Sequence, residues 1–256
     1  MNLGFLGTGR IASSVIEGIF KSKLKIKKIY ISPRNKIIAK KLSKRFKKVI
    51  ISENNQQLID KSSWVFLALT PKVGNKILKT LDFKKSKKVI SFISTINLIQ
   101  LRKIIGKNIK IIRAIPLPPI SIRKGPIPIC PPDKQVKSFF NELGTSVEIK
   151  NENSSINFWA TSGMMAPFYE LLKVLTDWLV KRGVKRNEAQ KYITSLFVAL
   201  SEDSVVNSKK DLKYLVKNSQ TPKGLNQQAV KQLRKVGFYR NLEASLNGIL
   251  KRLNKV

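Results

Sequence analysis

The first dozen residues constrain this chain most. A hydrophobic run from Leu3 to Leu6 passes directly into Gly7-Thr8-Gly9-Arg10-Ile11-Ala12, and a helical apolar pattern through Val15, Ile16 and Ile19 follows. A Gly-x-Gly-x-x-Gly/Ala string alone says little, but between a strand and a helix it becomes a dinucleotide fingerprint. Gly7 permits the tight turn, Gly9 lets the backbone approach a pyrophosphate, and Ala12 keeps helix and strand close. The helix N-terminus then offers unpaired N–H donors to the anion. The second strand, Ile29 to Ile31, ends on Ser32-Pro33-Arg34-Asn35, with no acid where an NAD-selective site places one on the ribose hydroxyls. Ser32 as a hydrogen-bond donor and Arg34 as a bidentate cation suit a 2′-phosphate, which makes NADP(H) the expected cofactor.

Further strand-like runs at Val49–Ile51, Trp64–Leu69, Val89–Ile93 and Ile109–Arg113 alternate with helical patterns. These are Ser13–Lys21, Asn35–Phe46, Asn54–Lys61, Val73–Thr80 and Leu98–Ile105. Such alternation predicts a doubly wound, mainly parallel α/β sheet. The stretch from Ala114 to Pro132 is too rich in proline for a helix or a central strand and reads as a rigid loop. A last strand-like pair, Ile127–Cys130 and Ser146–Ile149, flanks a helix over Lys134–Leu143. Beyond about residue 153 the period is helical throughout, with Phe168, Leu171, Leu172, Leu175 and Leu179 spaced by three and four and an interruption near Gly183. Further helices are expected over Asn187–Val206, Lys209–Lys217, Pro222–Lys235 and Phe238–Leu253, with Thr221 as cap and Pro222 in the first turn. The chain therefore divides into an α/β domain over residues 1–152 and an all-α domain over 153–256. Trp159, Phe168, Trp178 and Phe197 read as core or subunit contact, and so many apolar faces in a small helical domain imply self-association as a dimer or higher homo-oligomer.

The formal net charge of +35 raises the question of a polyanion partner. Of the 50 basic residues only 11 are arginine, and the 39 lysines are spread over nearly every segment beside abundant Ile and Asn. That distribution is a compositional drift rather than a basic stripe interleaved with aromatics, and it points away from nucleic acid. No stretch approaches the roughly 20 apolar residues of a membrane span, and the first strand begins at residue 3. The expectation is a cytoplasmic protein with no membrane partner. The chain has no histidine, so a Ser-His-Asp triad, a histidine base and the usual zinc sites are excluded, and no metal is expected. Cys130, the single cysteine, reads as a loop residue. The chemistry must come from a bound cofactor.

Five features in fixed order carry a family resemblance: the N-terminal glycine fingerprint, the Arg34 turn, Ala68-Leu69-Thr70-Pro71, Ser162-Gly163-Met164-Met165-Ala166-Pro167 and Thr221-Pro222-Lys223-Gly224. Together, over essentially the whole chain, they resemble pyrroline-5-carboxylate reductase. The resemblance implies a Rossmann-type domain followed by an all-α dimerisation domain, and NAD(P)H-dependent reduction of a cyclic imine acid, 1-pyrroline-5-carboxylate, to L-proline. It assigns Gly7, Thr8, Gly9, Arg10 and Ile11 to the pyrophosphate, Ser32 and Arg34 to the adenosine phosphate, and Asn55 to the adenosine. Leu69, Thr70 and Pro71 fall to the ribose and nicotinamide. Ser162, Gly163, Met164, Lys223, Gly224 and Leu225 fall to the substrate, and Asn226 takes the catalytic position facing the imine nitrogen. Several positions depart from the family pattern. Thr70 replaces a lysine, Leu117 an asparagine and Asn226 a hydroxyl, while Met164, Met165 and Ala166 add bulk where a Ser-Gly-rich turn leaves backbone donors open to a carboxylate. Those departures keep two alternatives in view: a related NADPH-dependent imine or 3-hydroxyacid reductase, and a cofactor-binding paralogue without activity.

Overall fold

The computed structural model describes residues 1–85 and 87–254, and it divides into two compact units, one from Met1 to Trp159 and one from Ala160 on. The first unit carries β1 (Asn2–Leu6), β2 (Lys28–Ile31), β3 (Val49–Ile51), β4 (Trp64–Leu67), β5 (Lys88–Ser91), β6 (Lys110–Ala114), β7 (Pro126–Cys130) and β8 (Thr145–Glu148). Interleaved with them are α1 (Arg10–Lys21), α2 (Lys36–Arg45), α3 (Asn55–Lys61), α4 (Pro71–Ile77), α5 (Leu98–Ile105) and α6 (Lys134–Asn141). Helix α7 (Glu152–Ser162) runs through the point where one compact unit gives way to the next. Residues 255 and 256 of the expected helical domain lie outside the described residues.

The strands form one sheet in the order β3-β2-β1-β4-β5-β6-β7-β8. Neighbours are parallel except β6 and β7, which are antiparallel. Strand alternation sorts side chains to two faces. Phe5, Phe66, Ile90 and Ile112 join Val15, Ile16 and Ile19 of α1 and Val136, Phe139 and Phe140 of α6 in one core. Leu6, Leu67, Val89 and Ile111 join Leu58, Ile59, Leu101 and Ile105 in the other. The ring of Phe66 is central to the first core, stacked on Phe5 at 4.6 Å and flanked by Phe139 at 5.7 Å. Helix starts follow the capping chemistry legible in the sequence: Asn35, Asn54, Asn97 and Asp133 each accept from the backbone N–H three residues on.

The proline-rich segment is loop only in part: the strand-like run Ile127–Cys130 is β7, which lies between β6 and β8 in the sheet despite its prolines. The reason is directional. Ile129 accepts from the Ile149 N–H of the β8 side, while the Pro128 carbonyl accepts from Ile115 on the β6 side. Strand geometry therefore turns the donorless nitrogens of Pro126 and Pro128 toward β6. That pairing involves only Arg113 with Cys130 and Ala114 with Ile129, so little hydrogen bonding is forgone there.

The second unit holds α8 (Met165–Val180), α9 (Arg186–Val206), α10 (Leu212–Asn218), α11 (Leu225–Lys235) and α12 (Phe238–Leu253). Gly183, at φ +89°, ends the α8 region as the sequence reading anticipates. The helix expected from Pro222 instead starts at Leu225 with Gly224 as its cap. Lys223 sits in the left-handed region at φ 59°, which breaks a right-handed helix, and Thr221-Pro222-Lys223 closes as a turn with the Gly224 N–H on the Thr221 carbonyl. Likewise α10 begins after Asp211, whose side chain accepts from the Lys213 N–H, and not at Lys209. Among the described residues no helix is long and apolar enough to cross a membrane.

Two measurements check this packing. In α1 a Cβ added to Gly18 would lie 2.4 Å from the carbonyl oxygen of Ile120, a backbone atom that cannot swing aside. Gly18→Ala should therefore lower the stability read by urea unfolding by about 1–3 kcal/mol, although alanine is the better helix former. Asp133, its side chain 4% exposed, holds Lys88 at 3.0 Å and Lys110 at 2.6 Å. Burial alone would raise this carboxyl, but the bonds from Lys110, the Val136 N–H and Lys88 outweigh burial and hold it down at about 2. Its contribution is complete above the unfolded value near 4 and disappears as pH falls toward 2. Wild type should lose about 2 kcal/mol relative to Asp133→Asn across that window, measured by urea midpoints at pH 5, 4, 3 and 2.

Candidate functional site

The turn after β1 has the geometry that an anion-binding loop needs. Gly7 adopts φ +98°, and a Cβ there would lie 2.4 Å from the Ala68 carbonyl oxygen, so the crossing of this turn over the end of β4 admits only glycine. A Cβ on Gly9 would meet nothing within 4 Å, so open space stands over the backbone at the start of α1. Gly9 caps α1 with extended backbone and no side-chain hydrogen bond, which leaves the first turn of the helix uncovered by any side chain of its own. Thr8 is buried, Arg10 is exposed, and Ile11 packs its side chain on the core beneath, so Ile11 brings only backbone to the loop.

Ser32 and Asn55 brace this loop from below. The Gly7 N–H donates to Ser32 Oγ at 3.1 Å, Ser32 Oγ donates to Asn55 Oδ1 at 2.7 Å, and Thr8 Oγ1 donates to the Ser32 carbonyl at 3.4 Å. Ser32, expected on the adenosine phosphate, is buried and gives its proton to Asn55, and so holds the glycine turn. The charge at that end comes from Arg34 and from Lys36, a residue the sequence reading passed over although it opens α2 two positions after Arg34. Both are exposed and line a cavity of about 640 Å³ with Gly7, Thr8, Gly9, Leu69 and Thr70. No acidic side chain lines it. Thr70 caps α4, and Pro71, the next residue, lines a second cavity of about 680 Å³ with Thr95 and Ile96. Of the expected cofactor residues, Gly7, Thr8, Gly9, Arg34, Leu69 and Thr70 line this cleft, while Arg10, Ile11, Ser32, Asn55 and Pro71 do not.

In the helical unit the expected substrate residues sit in two turns. Ser162 ends α7, and Gly163 and Met164 form the bend into α8. Their N–H groups are spent on the carbonyls of Ala160 and Thr161, both at 3.0 Å, so neither remains open for a substrate carboxylate. A Cβ on Gly163 would approach Ile249 of α12 to 2.7 Å, so this glycine serves close packing of the bend on α12. Met164 lines an apolar groove of about 530 Å³ with Phe168, Leu171, Val174, Phe238 and Leu242. The open backbone donors that the family pattern keeps at this turn are therefore closed here, where Met164, Met165 and Ala166 depart from it. In the second turn Lys223, Leu225 and Asn226 are exposed, and Gly224 is half-buried because its Cα rests on Thr221. The Asn226 amide NH2 donates to the Ser219 carbonyl at 2.8 Å, which tethers the side chain while its Oδ1 stays an acceptor.

The helical unit also exposes much apolar surface. Phe168, Tyr169, Val174, Trp178, Tyr192, Val198 and Leu200 are each more than 40% exposed. Among its described residues only Ala160, Ala189 and Ile193 are buried hydrophobics. A unit of this size with so small a core of its own lacks the buried area for independent stability.

Residues 2–97 match the family described as NADP oxidoreductase, coenzyme F420-dependent, and residues 156–256 match the pyrroline-5-carboxylate reductase dimerisation family. Among solved structures, 1-pyrroline-5-carboxylate reductase from Streptococcus pyogenes is 21% identical with a TM-score of 0.86, covering 100% of this chain and 99% of its own. The pyrroline carboxylate reductase of Plasmodium falciparum, solved with NADP bound, is 22% identical with a TM-score of 0.84, covering 99% and 97%. The Coxiella burnetii pyrroline-5-carboxylate reductase is 20% identical with a TM-score of 0.81, covering 99% and 97%. No curated protein matches the sequence. Residues 156–256 thus belong to the pyrroline-5-carboxylate reductase dimerisation family, behind a domain of the NADP oxidoreductase family, and the chain shares its fold over its whole length with those three reductases.

Proposed function

We propose that the protein is an NADPH-dependent reductase of a cyclic imine acid, with 1-pyrroline-5-carboxylate as substrate and L-proline as product. The observation that carries this reading is the cleft over Gly7 to Gly9. It is open above Gly9, lined by Arg34 and Lys36, and free of acidic side chains. Those residues fit a phosphorylated dinucleotide. The glycine turn and the start of α1 would take the pyrophosphate, Arg34 and Lys36 the adenosine phosphate, and Leu69 and Thr70 the ribose beyond. When bound, the nicotinamide supplies the hydride. The family matches and the Plasmodium falciparum relative solved with NADP support the assignment.

On this reading the helical unit holds and orients the substrate. With its amide NH2 tethered to Ser219, Asn226 presents Oδ1 as a hydrogen-bond acceptor, matched to the N–H of a protonated imine. No side chain needs to deliver a strong acid, since an iminium already carries its proton, and proximity with orientation supplies the barrier reduction. Lys223, exposed in the same turn, offers a cation to the substrate carboxylate, a role the Gly163 and Met164 N–H groups do not fill. A second reading, another imine as substrate, is favoured by the closed bend at Gly163-Met164. The imine reductase and reductive aminase of Aspergillus terreus share the fold with TM-scores of 0.54 and 0.58. The exposed apolar faces of α8 and α9 and the dimerisation-family match support association of two or more copies, which would cover them.

NADPH consumption with a panel of cyclic imino acids separates the two substrates, because only the first yields proline. NADPH should be strongly preferred over NADH, and Arg34→Glu should cut kcat/KM for NADPH at least tenfold while sparing that for NADH, read by initial rates with each cofactor. Equal kcat/KM for both cofactors in wild type removes the phosphate assignment. Asn226→Ala should lower turnover at least tenfold with NADPH affinity unchanged in a fluorescence titration, and unaltered turnover takes Asn226 out of the site.

A further inference from the structure

A single register row crosses the sheet at the level where β1 gives way to the glycine turn. Leu6 pairs with Leu67, Leu67 with Ser91, and Ser91 with Arg113. The first three are an unremarkable core row. Arg113 is an arginine only 2% exposed, with the largest of the fully buried side chains. A buried guanidinium is costly unless its charge and donors are answered. Here they are answered by one turn. Arg113 donates to the carbonyls of Ile93 and Ser94, just beyond β5, and to Glu152 Oε1 at the start of α7, and its plane lies 3.9 Å from the Trp159 ring. Glu152 Oε1 in turn accepts from the Leu98 N–H at 2.8 Å, the first residue of α5. The β5–α5 turn is therefore clamped at both ends by one ion pair. Burial lowers the Arg113 pKa, and the hydrogen bond and charge of Glu152 oppose that fall.

Arg113 Nε, Trp159 Nε1 and Thr95 Oγ1 are three of the five buried side-chain polar atoms that lack a protein partner among the described residues, and all belong to this turn or its clamp. The clamped turn carries Thr95 and Ile96 into the cavity that Pro71 also lines. A dinucleotide whose pyrophosphate lies over β1 and whose adenosine end lies over β2 extends its other half across the ends of β4 and β5. The β5–α5 turn stands at that end.

We propose that Arg113, through its pair with Glu152, is a positioning residue that sets the β5–α5 turn as a wall for the nicotinamide end of the cofactor. It touches neither cofactor nor substrate, and its effect passes through the backbone of Ile93 and Ser94. The inference rests on the NADPH reading above. The test compares Glu152→Ala, Glu152→Gln and wild type by NADPH titration, by the emission of bound nicotinamide, and by initial rates with 1-pyrroline-5-carboxylate. In Glu152→Ala, NADPH Kd and KM should stay within threefold, the emission of bound nicotinamide should shift, and kcat should fall at least tenfold. Glu152→Gln keeps an acceptor oxygen and should restore kcat to within threefold of wild type. Arg113→Lys, which retains the charge but loses the fork, should behave as Glu152→Ala does and takes its place should that variant not fold. Unchanged emission and kcat in Glu152→Ala, or equal losses in the alanine and glutamine variants, overturn the proposal whatever happens to Tm. Wild type that binds NADPH but reduces no cyclic imine overturns the substrate reading alone, and the emission comparison then decides. Wild type that binds no NADPH overturns both.

Discussion

The N-terminal unit depends on one backbone crossing. At Gly7 the chain turns over the end of β4 so closely that a single methyl group would strike the Ala68 carbonyl. That approach is possible only with a positive φ and no side chain, and it lets β1 finish in hydrogen bonds to β4 while α1 starts three residues later over the sheet. Were the turn wider, α1 would ride farther from the strands, and the packing of Ala12, Val15 and Ile16 on Phe5 and Phe66 would open. The same tightness makes the loop a shallow platform, with nothing over Gly9.

Two polar devices brace the turns at this end of the sheet, one on each side of that crossing. On the β2 side, the chain from Gly7 through Ser32 to Asn55 ties three separate segments with two hydrogen bonds and needs no charge. On the β5 side, an ion pair ties the turn 93–98 to α7. The contrast follows from burial. Ser32 and Asn55 are neutral groups that satisfy each other cheaply, whereas a guanidinium placed inside a sheet has to recruit several acceptors at once. The helical unit has few interior devices of either kind. Its polar contacts are mostly local, such as Asn226 with Ser219 and Lys173 with Asp177, and much of its apolar surface faces outward.

What could be read from the sequence was local. The glycine fingerprint and the alternation of strands with helices act within a few residues, and the structure has them where the pattern places them. What escaped was either conformational or distant. Nothing in the residue type of Lys223 announces a left-handed φ, so the Thr-Pro helix start was a reasonable inference that the backbone overrules. The side of a strand on which proline lacks its donor depends on register, which composition does not carry, so the strand-like pattern of Ile127–Cys130 does not by itself place β7 inside the sheet. Ser32 has the residue type of a phosphate donor, but its proton goes to a residue 23 positions away. Glu152 is 39 positions from Arg113, and no spacing rule links them.

The orientation of the β7 prolines also settles where the sheet is least continuous. Between β6 and β7 the ladder narrows to two residue pairs, while β7 and β8 share four. The outer pair thus forms a flap hinged along a thin seam, fastened mainly by the aromatic side chains of α6 on Phe66. Local opening begins where the fewest bonds must break at once, so amide protons of β7 and β8 exchange with solvent ahead of those in the β1–β4–β5 centre. The cleft, which lies on the other side of that seam, is insulated from such fraying.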